Sequence, residues 1–251
     1  MTMFVGGNVS TSNPHNPGFW AIVPAAGVGR RMQSTIPKQY LEIHGRTLME
    51  HTLERLLGFT HLQKLIVVIG AEDEYYKEIK LLRDSRIMLV QGGEERYHSV
   101  LNGLKTLSEL ADAEDWVMVH DVARPCIRHS DLEWLVEQLA DHTVGGLLGM
   151  PVRDTMKRTS SAGEVTETVD RDALWHALTP QMFRMKLLYD ALKKALDDGM
   201  PVTDEASAIE YAGFKPLMVE GHSDNIKVTR SADLTLAALY IQQQAKLIET
   251  V

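Results

Sequence analysis

A short stretch near the N-terminal end combines small residues with clustered positive charges, as phosphate-binding loops do. It runs AIVPAAGVGRRMQSTIPKQY over residues 21–40. The apolar residues 21–23 predict a buried strand that stops at Pro24. The small residues that follow keep ligands close to backbone N–H groups, and arginine and lysine side chains come next. This order of residues predicts a loop that binds phosphate groups.

Two common phosphate-binding motifs do not fit this loop. A Walker A loop ends in Gly-Lys-Ser/Thr, whereas two arginines follow Gly29. A Rossmann fingerprint needs glycine or alanine three residues after Gly29, where this chain has Met32. Gly-x-Gly alone is also compatible with an ordinary tight turn. The whole string, including Lys38, is more specific, and it resembles the signature loop of nucleotidyltransferases.

A candidate metal ligand follows the predicted strand 116–120. The carboxylate of Asp121 should stand at the rim of the sheet, where a hard oxygen ligand suits Mg²⁺ bound mainly by water and substrate phosphates. The alternative is an N-cap or turn aspartate. Arg124 could join a triphosphate clamp or form a surface ion pair. Because the phosphate loop is expected at the same rim, we favour Asp121 as a metal ligand.

Several other polar residues could contact phosphates. Arg31 and Lys38 could stabilise charge that develops on phosphorus, although a solvated basic loop is the alternative. Arg171 and Lys227 lie far away in sequence, each among polar residues of an otherwise structured region. Three threonines could give hydroxyl contacts to a polyol or a phosphate: Thr155, Thr179 and Thr203.

Other chemistries find no support in the sequence. The ten histidines show no metal-binding spacing, and no Gly-x-Ser-x-Gly motif is present. His120 should point away from Asp121, because neighbouring strand residues face opposite sides, and a core role is expected for it. The single cysteine, Cys126, excludes an internal disulfide and fits a small buried core residue in a reducing cytoplasm better than a catalytic thiol.

Strands and helices are predicted to alternate along the chain, which indicates a three-layer, Rossmann-like α/β/α domain with a mainly parallel sheet. Ligands of such sheets bind beyond the carboxyl ends of the strands, where the candidate loops fall. Strands are predicted at 64–70, 87–90, 116–120, 145–152 and 215–219, in addition to 21–23. Helices are predicted at 46–58, 74–82, 97–110, 131–140, 186–198, 204–212 and 232–248.

The pattern changes at residues 153–172, which are polar and alternating, with a turn expected at 160–163. They contain too little apolar surface for a core. We predict a β-hairpin arm, at about 152–173, that projects from the domain and packs on a second subunit. A solvated surface hairpin is the alternative. The chain is expected to return to the domain through 174–180.

Composition narrows the class of protein further. The chain has 251 residues, of which 44% are hydrophobic, and a formal net charge of −8. It lacks an apolar run of about 18 residues, so no membrane span is expected, and its negative charge disfavours nucleic-acid binding. Residues 1–18 lack the pattern of a signal peptide and are expected to form a disordered tail. We expect residues 19–251 to form the nucleotidyltransferase domain.

Eight motifs together resemble the 2-C-methyl-D-erythritol 4-phosphate cytidylyltransferase family, from about residue 20 to residue 240. They are VPAAGVGRRM (23–32), PKQY (37–40), GGEER (92–96), HDVARP (120–125), PVRDTMKR (151–158), TVDRDALWHALTPQ (168–181), TDEASAIEYAG (203–213) and VEGHSDNIKVT (219–229). The resemblance implies transfer of CMP from CTP to a sugar-alcohol phosphate, methylerythritol phosphate, with release of pyrophosphate. It also implies Mg²⁺ or another divalent cation and a homodimer.

The resemblance assigns roles to residues by position. Arg31 and Lys38 match the transition-state stabilisers, Arg171 and Lys227 match the residues that orient the sugar phosphate, and Asp121 matches the metal site. The threonines at 155, 179 and 203 match the acceptor pocket, and in the family the arm that includes Thr155 and Arg171 reaches the partner subunit's site. The nucleotide site corresponds to Pro24, Ala25, Ala26, Gly27, Gly29, Gly93, Glu94 and Ser99, with Asp121 and Arg124.

Two positions depart from the family pattern, since Val122 replaces the usual alanine and Glu94 the common aspartate. Both are expected to act through their backbones. A phosphate monoester is mostly a dianion at neutral pH, so the acceptor needs no general base, and direct attack on the α-phosphorus is expected. Two other functions stay open: the same chemistry on another acceptor such as ribitol phosphate, and a nucleotide-binding regulatory module without catalysis.

Overall fold

Strands and helices alternate along the chain in this computed structural model, which describes residues 17–27 and 36–249. The strands are β1 (Phe19–Pro24), β2 (Glu42–Ile43), β3 (Arg46–Thr47), β4 (Leu62–Ile69), β5 (Ile87–Gln91), β6 (Trp116–Val119), β7 (Gly145–Pro151), β8 (Met156–Thr159), β9 (Val165–Val169), β10 (Trp175–Arg184) and β11 (Leu217–Glu220). The helices are α1 (Leu48–Leu57), α2 (Arg96–Leu107), α3 (His129–Leu139), α4 (Met185–Asp197), α5 (Glu205–Tyr211) and α6 (Ser231–Glu249).

Seven strands form the central sheet, in the order β11-β7-β10-β6-β1-β4-β5. Strand β1 pairs in parallel with β4 on one side and β6 on the other, and the edge strands β5 and β11 are also parallel to their neighbours. Only β10, between β6 and β7, runs antiparallel within this sheet. The predicted Rossmann-like fold with a mainly parallel sheet is therefore confirmed.

The side chains of β1 alternate between two apolar cores, one on each face of the sheet. Ala21 and Val23 belong to the core that α1 and α3 cover, whereas Trp20 and Ile22 belong to the core that α2, α4 and α5 cover. All four are buried. Helices on both faces explain why the central strands are apolar at almost every position and show no alternation with polar residues.

The first helix begins two residues later than predicted. Arg46 and Thr47 pair with Glu42–Ile43 in a small antiparallel ribbon, and α1 starts at Leu48. The Thr47 hydroxyl accepts a hydrogen bond from the Glu50 N–H, and the Glu50 carboxylate accepts one from the Thr47 N–H. This reciprocal capping box defines the start of the helix.

The prediction of an α-helix at 74–82 is wrong. The segment contains two short 3₁₀ helices, Tyr75–Glu78 and Lys80–Arg83. Four of its side chains pack against the core: Tyr76, Ile79, Leu81 and Leu82. Ile79 lies between the two 3₁₀ helices in an extended conformation, with a φ of −81° and a ψ of 99°, so no single helix runs through the segment.

Residues 174–180 do not simply return the chain to the domain, because they form most of the long antiparallel strand β10. Two features of the sequence conceal this strand. Its first residues, 175–177, are half-buried or exposed, and Pro180 interrupts the pattern in the middle. The ladder with β7 also shifts its register between Ala177 and Gln181.

Strands β8 and β9 pair in a two-stranded antiparallel sheet of their own, which forms the predicted arm. The turn lies at 160–163 as expected, where the Gly163 N–H donates to the Ser160 carbonyl and Gly163 has a φ of +85°. A positive φ favours glycine at that position. Nearly all residues of the two strands are exposed. Packing of the arm on a second subunit stays a prediction.

The predicted tail at 1–18 lies outside the described residues as far as residue 16. Gly18 is structured, since its N–H donates to the Asp115 carboxylate at 2.6 Å. None of the described helices is long and apolar enough to cross a membrane.

Leu104 tests how much the core beneath α2 contributes to stability. Its side chain is fully buried, and we expect Leu104→Ala to lower the free energy of unfolding by about 2–5 kcal/mol, because it creates a cavity. Leu239→Ala, on an exposed position of α6, is the matched control and should change stability by less than about 0.5 kcal/mol. Urea unfolding measures both variants, and equal effects would contradict this assignment of the core.

Candidate active site

The carboxyl ends of β1, β5 and β6 meet around a cavity of about 290 Å³ at one edge of the sheet. Most of the predicted nucleotide-binding residues line it, together with two predicted catalytic lysines: Pro24, Ala26, Gly27, Lys38, Gly93, Glu94, Ser99, Asp121 and Lys227. Ala25 is buried instead, and its N–H donates to the Val68 carbonyl at 2.8 Å. The chain therefore brings the glycine turn and the acidic strand end to the phosphate loop.

The glycine turn after β5 packs closely against the loop after β1. A Cβ atom on Gly92 would lie 2.5 Å from the Cβ of Ala26 and 2.9 Å from the Oγ of Ser99. The Gly93 N–H donates to the same Oγ at 3.2 Å. Any side chain at position 92 would push the two loops apart, so glycine is a steric requirement of this cavity wall.

Lys38 opens a short 3₁₀ helix, Lys38–Tyr40, that packs on the loop after β1. The buried Gln39 donates from Nε2 to the Ala25 carbonyl at 2.8 Å. The Nζ of Lys38 lies 3.4 Å from the carbonyl oxygen of Val228, in the segment that carries Lys227. This contact joins residues 190 positions apart and brings the two lysine-bearing segments together at one cavity.

Three cations surround the carboxylate of Asp121. The Nζ of Lys227 lies 2.6 Å from Oδ2, the Nε of Arg96 lies 3.0 Å from Oδ1, and the Nε of Arg124 lies 3.8 Å from Oδ2. Burial alone would favour the neutral acid, but the charges of Arg96 and Lys227 outweigh it and hold the pKa of Asp121 well below its usual range. Asp121 is therefore an anion at any physiological pH.

A second cavity, of about 230 Å³, shares Arg96, Asp121 and Lys227 with the first. Thr179 and Thr203, both predicted acceptor residues, line it. Arg124 was predicted for the nucleotide site, but it lines this second cavity instead of the first. The molecule thus has two adjoining cavities, and one group of charged side chains forms their common wall.

Buried hydrogen bonds fix the segment that carries Lys227. The side chain of Asn225 donates to the Thr179 carbonyl at 2.8 Å, and the Asn225 carbonyl accepts from Nη1 of Arg124 at 2.8 Å. The Val228 N–H donates to the Ala123 carbonyl at 2.8 Å. Arg124 therefore supports this segment in addition to facing Asp121, and the supporting role of Asn225 was not predicted from the sequence.

The sequence did not reveal the ion pair of Arg96 and Glu205 at this site. Glu205 is completely buried and receives two hydrogen bonds from Arg96, at 2.7 Å from Nη1 and 3.1 Å from Nη2. Burial opposes the charge of Arg96, but Glu205 and Asp121 outweigh it and raise the pKa of the guanidinium. Both residues belong to motifs quoted above, yet they lie 109 positions apart, and nothing in the sequence pairs them.

His120 is buried behind the site and is linked to it by Thr179. Its Nε2 lies 3.1 Å from the Arg124 carbonyl, which can only accept, so Nε2 carries the proton of the neutral ring. The Thr179 hydroxyl then donates to Nδ1 of His120 and accepts from the Asp121 N–H, at 3.0 and 3.1 Å. The hydroxyl proton of Thr179 is therefore donated to His120 and not to a ligand. The predicted buried, hydrogen-bonded role of His120 is confirmed.

Besides Ala25, two predicted site residues of the described chain, Thr155 and Arg171, line neither cavity. Thr155 precedes β8 at the base of the arm and is exposed. Arg171, also exposed, follows β9, and its Nη1 donates to the Arg153 carbonyl. Both therefore belong to the arm, and the chain does not bring them to Asp121. Gly29 and Arg31 lie outside the described residues.

The donor set fits a metal ion that substrate phosphates help to bind. Within the described part of the chain, no three histidine, cysteine, aspartate or glutamate side chains cluster as a metal site would require. Asp121 provides a single carboxylate at the cavity wall. Mg²⁺ typically keeps several waters and binds one or two carboxylates plus phosphate oxygens, so one carboxylate is sufficient.

A doubly covered α/β sheet with phosphate-loop features and lysines at its carboxyl edge is typical of nucleotide-binding transferases. The chain belongs to the 2-C-methyl-D-erythritol 4-phosphate cytidylyltransferase family (IspD), whose model matches residues 19–243. Proteins of this family transfer CMP from CTP to methylerythritol phosphate in isoprenoid biosynthesis. The chain is accordingly a CTP-dependent nucleotidyltransferase.

Individual relatives agree with this assignment. A protein of this name from Aeromonas hydrophila is 52% identical over 228 residues, which cover 91% of each chain. One from Vibrio vulnificus is 50% identical over 224 residues, 89% of this chain and 94% of the relative. The crystal structure of the Francisella tularensis cytidylyltransferase superimposes with a TM-score of 0.79 at 33% identity, covering 89% of this chain and 99% of that one.

The buried His120 predicts a specific loss of stability in acid. Burial lowers its pKa from 6.5 to about 4, so the unfolded chain binds a proton first as the pH falls. Stability should therefore fall below about pH 6.5, with about 2 kcal/mol lost by pH 5 through this group. His120→Gln should remove that part of the pH dependence in urea unfolding at pH 8 and pH 5. The exposed His61→Gln is the control, and an unchanged pH dependence in His120→Gln would refute the assignment.

Proposed function

We propose that the chain transfers CMP from CTP to 2-C-methyl-D-erythritol 4-phosphate in one direct displacement at the α-phosphorus, without a covalent enzyme intermediate. The observation that supports this most strongly is the common wall of the two cavities. A nucleotide in the first cavity and a phosphate acceptor in the second would meet at Asp121, Arg96 and Lys227. Direct transfer requires this adjacency of the two substrates.

The site is suited to charge neutralisation and poorly suited to proton transfer. Asp121 is a weak base, because its cationic neighbours stabilise the carboxylate. His120 is buried, and both of its ring nitrogens are hydrogen-bonded within the protein. An acceptor phosphate is mostly a dianion at neutral pH and attacks without a base. Catalysis then depends on positioning and on cations that offset the developing charge.

Lys38 and Lys227, which both line the first cavity, provide such cations. In this proposal Lys38, with Arg31, stabilises the charge on the phosphates of CTP, and Lys227 orients the acceptor phosphate. Asp121 would hold Mg²⁺ or another divalent ion together with the CTP phosphates. The ion, when bound, would screen phosphate charge and assist departure of pyrophosphate.

In this proposal, the nucleotide binds against two closely packed loops, the loop after β1 and the glycine turn after β5. Gly93, Glu94 and Ser99 would contact the cytidine part, largely through the backbone. Thr203 is exposed beside the second cavity and offers a hydroxyl to the acceptor. Thr179 acts differently, because its proton is donated to His120, so it positions the backbone of Asp121.

We further propose that the enzyme is a cytoplasmic homodimer and that 19–251 is one nucleotidyltransferase domain. Thr155 and Arg171 then complete the partner's acceptor site. The support is that both are exposed on an arm with almost no buried surface, away from this protomer's cavities. A buried, reduced cysteine at position 126 is consistent with the cytoplasm.

The first test concerns the two lysines. Lys38→Ala and Lys227→Ala should each lower kcat by about a hundredfold or more with the fold intact, because each removes a preorganised cation. Pyrophosphate release with CTP and methylerythritol phosphate is the assay, and the exposed Lys215→Ala is the control. Wild-type turnover in either variant would remove that lysine from the mechanism.

The same assay decides the acceptor. Replacing methylerythritol phosphate with ribitol phosphate should leave little pyrophosphate release, and equal rates with both would favour a broader cytidylyltransferase. If neither acceptor supports release, a regulatory nucleotide-binding module becomes the better interpretation.

The second test concerns the arm. Arg171→Ala and Lys227→Ala proteins should each be inactive, but purified mixed dimers of the two should regain roughly half of wild-type activity, since one of their two sites is intact. In a mixed dimer, one site would combine an intact Lys227 with an intact partner Arg171. Coexpression of the two variants with different tags, followed by the pyrophosphate assay, measures this. No recovery in a confirmed mixed dimer would show that Arg171 does not act across subunits.

A further inference from the structure

The ion pair of the half-buried Arg96 and the fully buried Glu205 adjoins the predicted metal ligand, Asp121. Glu205 begins α5, and its side chain has no exposed surface. It accepts from both terminal nitrogens of Arg96, which leaves Nε as the only Arg96 donor on Asp121. The guanidinium thus binds Glu205 with two hydrogen bonds and Asp121 with one.

The single contact matters because arginine prefers to bind a carboxylate with two parallel hydrogen bonds. If the guanidinium of Arg96 turned so that two of its nitrogens faced Asp121, it would occupy both carboxylate oxygens. Lys227 and Arg124 are already within 4 Å of the same carboxylate, at 2.6 and 3.8 Å. Asp121 would then be fully neutralised by protein cations, and its affinity for a divalent ion would fall.

Helix α5 is anchored so that Glu205 cannot follow such a movement. Its N-cap, Asp204, accepts from the Ser207 N–H at 3.0 Å. Gln181 of β10 accepts from the Ala206 N–H at 2.8 Å and donates to Asp204 at 2.9 Å. Glu205 is therefore held at a fixed position in the sheet-facing end of the helix.

We propose that Glu205 is a positioning residue for this enzyme: it restrains Arg96 so that one oxygen of Asp121 stays available to a divalent cation. The proposal rests on the proposed function, in which Asp121 binds that cation with CTP. In this arrangement Lys227, whose side chain is 40% exposed, can leave Oδ2, whereas Arg96 cannot take its place.

The test measures metal binding and does not rely on turnover. Mn²⁺ serves as the probe, and electron paramagnetic resonance counts free Mn²⁺ in a titration of the protein with CTP. Glu205→Gln should weaken Mn²⁺ binding by about tenfold or more, because Arg96 then turns onto Asp121. Glu210→Gln makes the same charge change on an exposed position of the same helix and should bind Mn²⁺ like the wild type.

A second substitution distinguishes this role from a merely structural one. In Arg96→Gln/Glu205→Gln no guanidinium remains to occupy Asp121, so Mn²⁺ binding should recover to within about threefold of the wild type. A structural role for Glu205 predicts that the double variant binds no better than Glu205→Gln. The double variant also removes both buried charges together, which proteins tolerate better than removing one.

Each outcome of these titrations decides the proposal. Wild-type Mn²⁺ affinity in folded Glu205→Gln overturns it, and so does a folded double variant with lost binding. If Glu205→Gln does not fold, as thermal unfolding would reveal, the double variant alone decides. Failure of the proposed function is separately visible, because the wild-type protein would then neither bind Mn²⁺ with CTP nor release pyrophosphate.

Discussion

The ion pairs of Asp121 are the interaction on which the rest of the site depends. Lys227, Arg96 and Arg124 come from three different segments of the chain, and bringing three cations together at a partly buried site would be unfavourable without a compensating charge. Asp121 and Glu205 provide that compensation. The carboxylates let the strand ends converge, and the cations in turn keep Asp121 ionised in a buried position.

This arrangement suits the chemistry of a phosphate acceptor. The nucleophile is already ionised, so the protein has no need of a tuned base, and its titratable groups are used to position charge. The same group of residues faces both cavities. A nucleotide in one cavity and an acceptor in the other would therefore both change the electrostatic environment of Asp121. Substitutions around this carboxylate should affect the binding of both substrates.

The sequence predicted the parts of the site that lie at the ends of parallel strands. The small residues after β1 and Asp121 after β6 closely follow apolar strands, so topology alone brings them to one edge of the sheet. The resemblance to the family identified Lys227 and the threonines, which spacing could not. Gly29 and Arg31 lie outside the described residues, and their roles stay predictions.

Other features could not be predicted because they depend on contacts between distant residues. The pairing of Arg96 with Glu205 bridges two motifs whose separate patterns say nothing of each other. Arg124 looked like a nucleotide ligand, yet its Nη1 supports the Lys227 segment. Strand β10 was hidden by its exposed first residues and by Pro180, and the extended residue Ile79, which separates two 3₁₀ helices, could not be recognised in the apolar pattern that predicted one helix.

The most direct measurement of the central claim is the position of a metal in the substrate complex. Crystals grown with Mn²⁺ and CTP would reveal the metal by its anomalous scattering. We expect the peak within metal–ligand distance of an oxygen of Asp121 and beside the CTP phosphates, with the Lys227 ammonium displaced from Oδ2. A bound nucleotide whose metal lies away from Asp121, with the Lys227 pair intact, would contradict it.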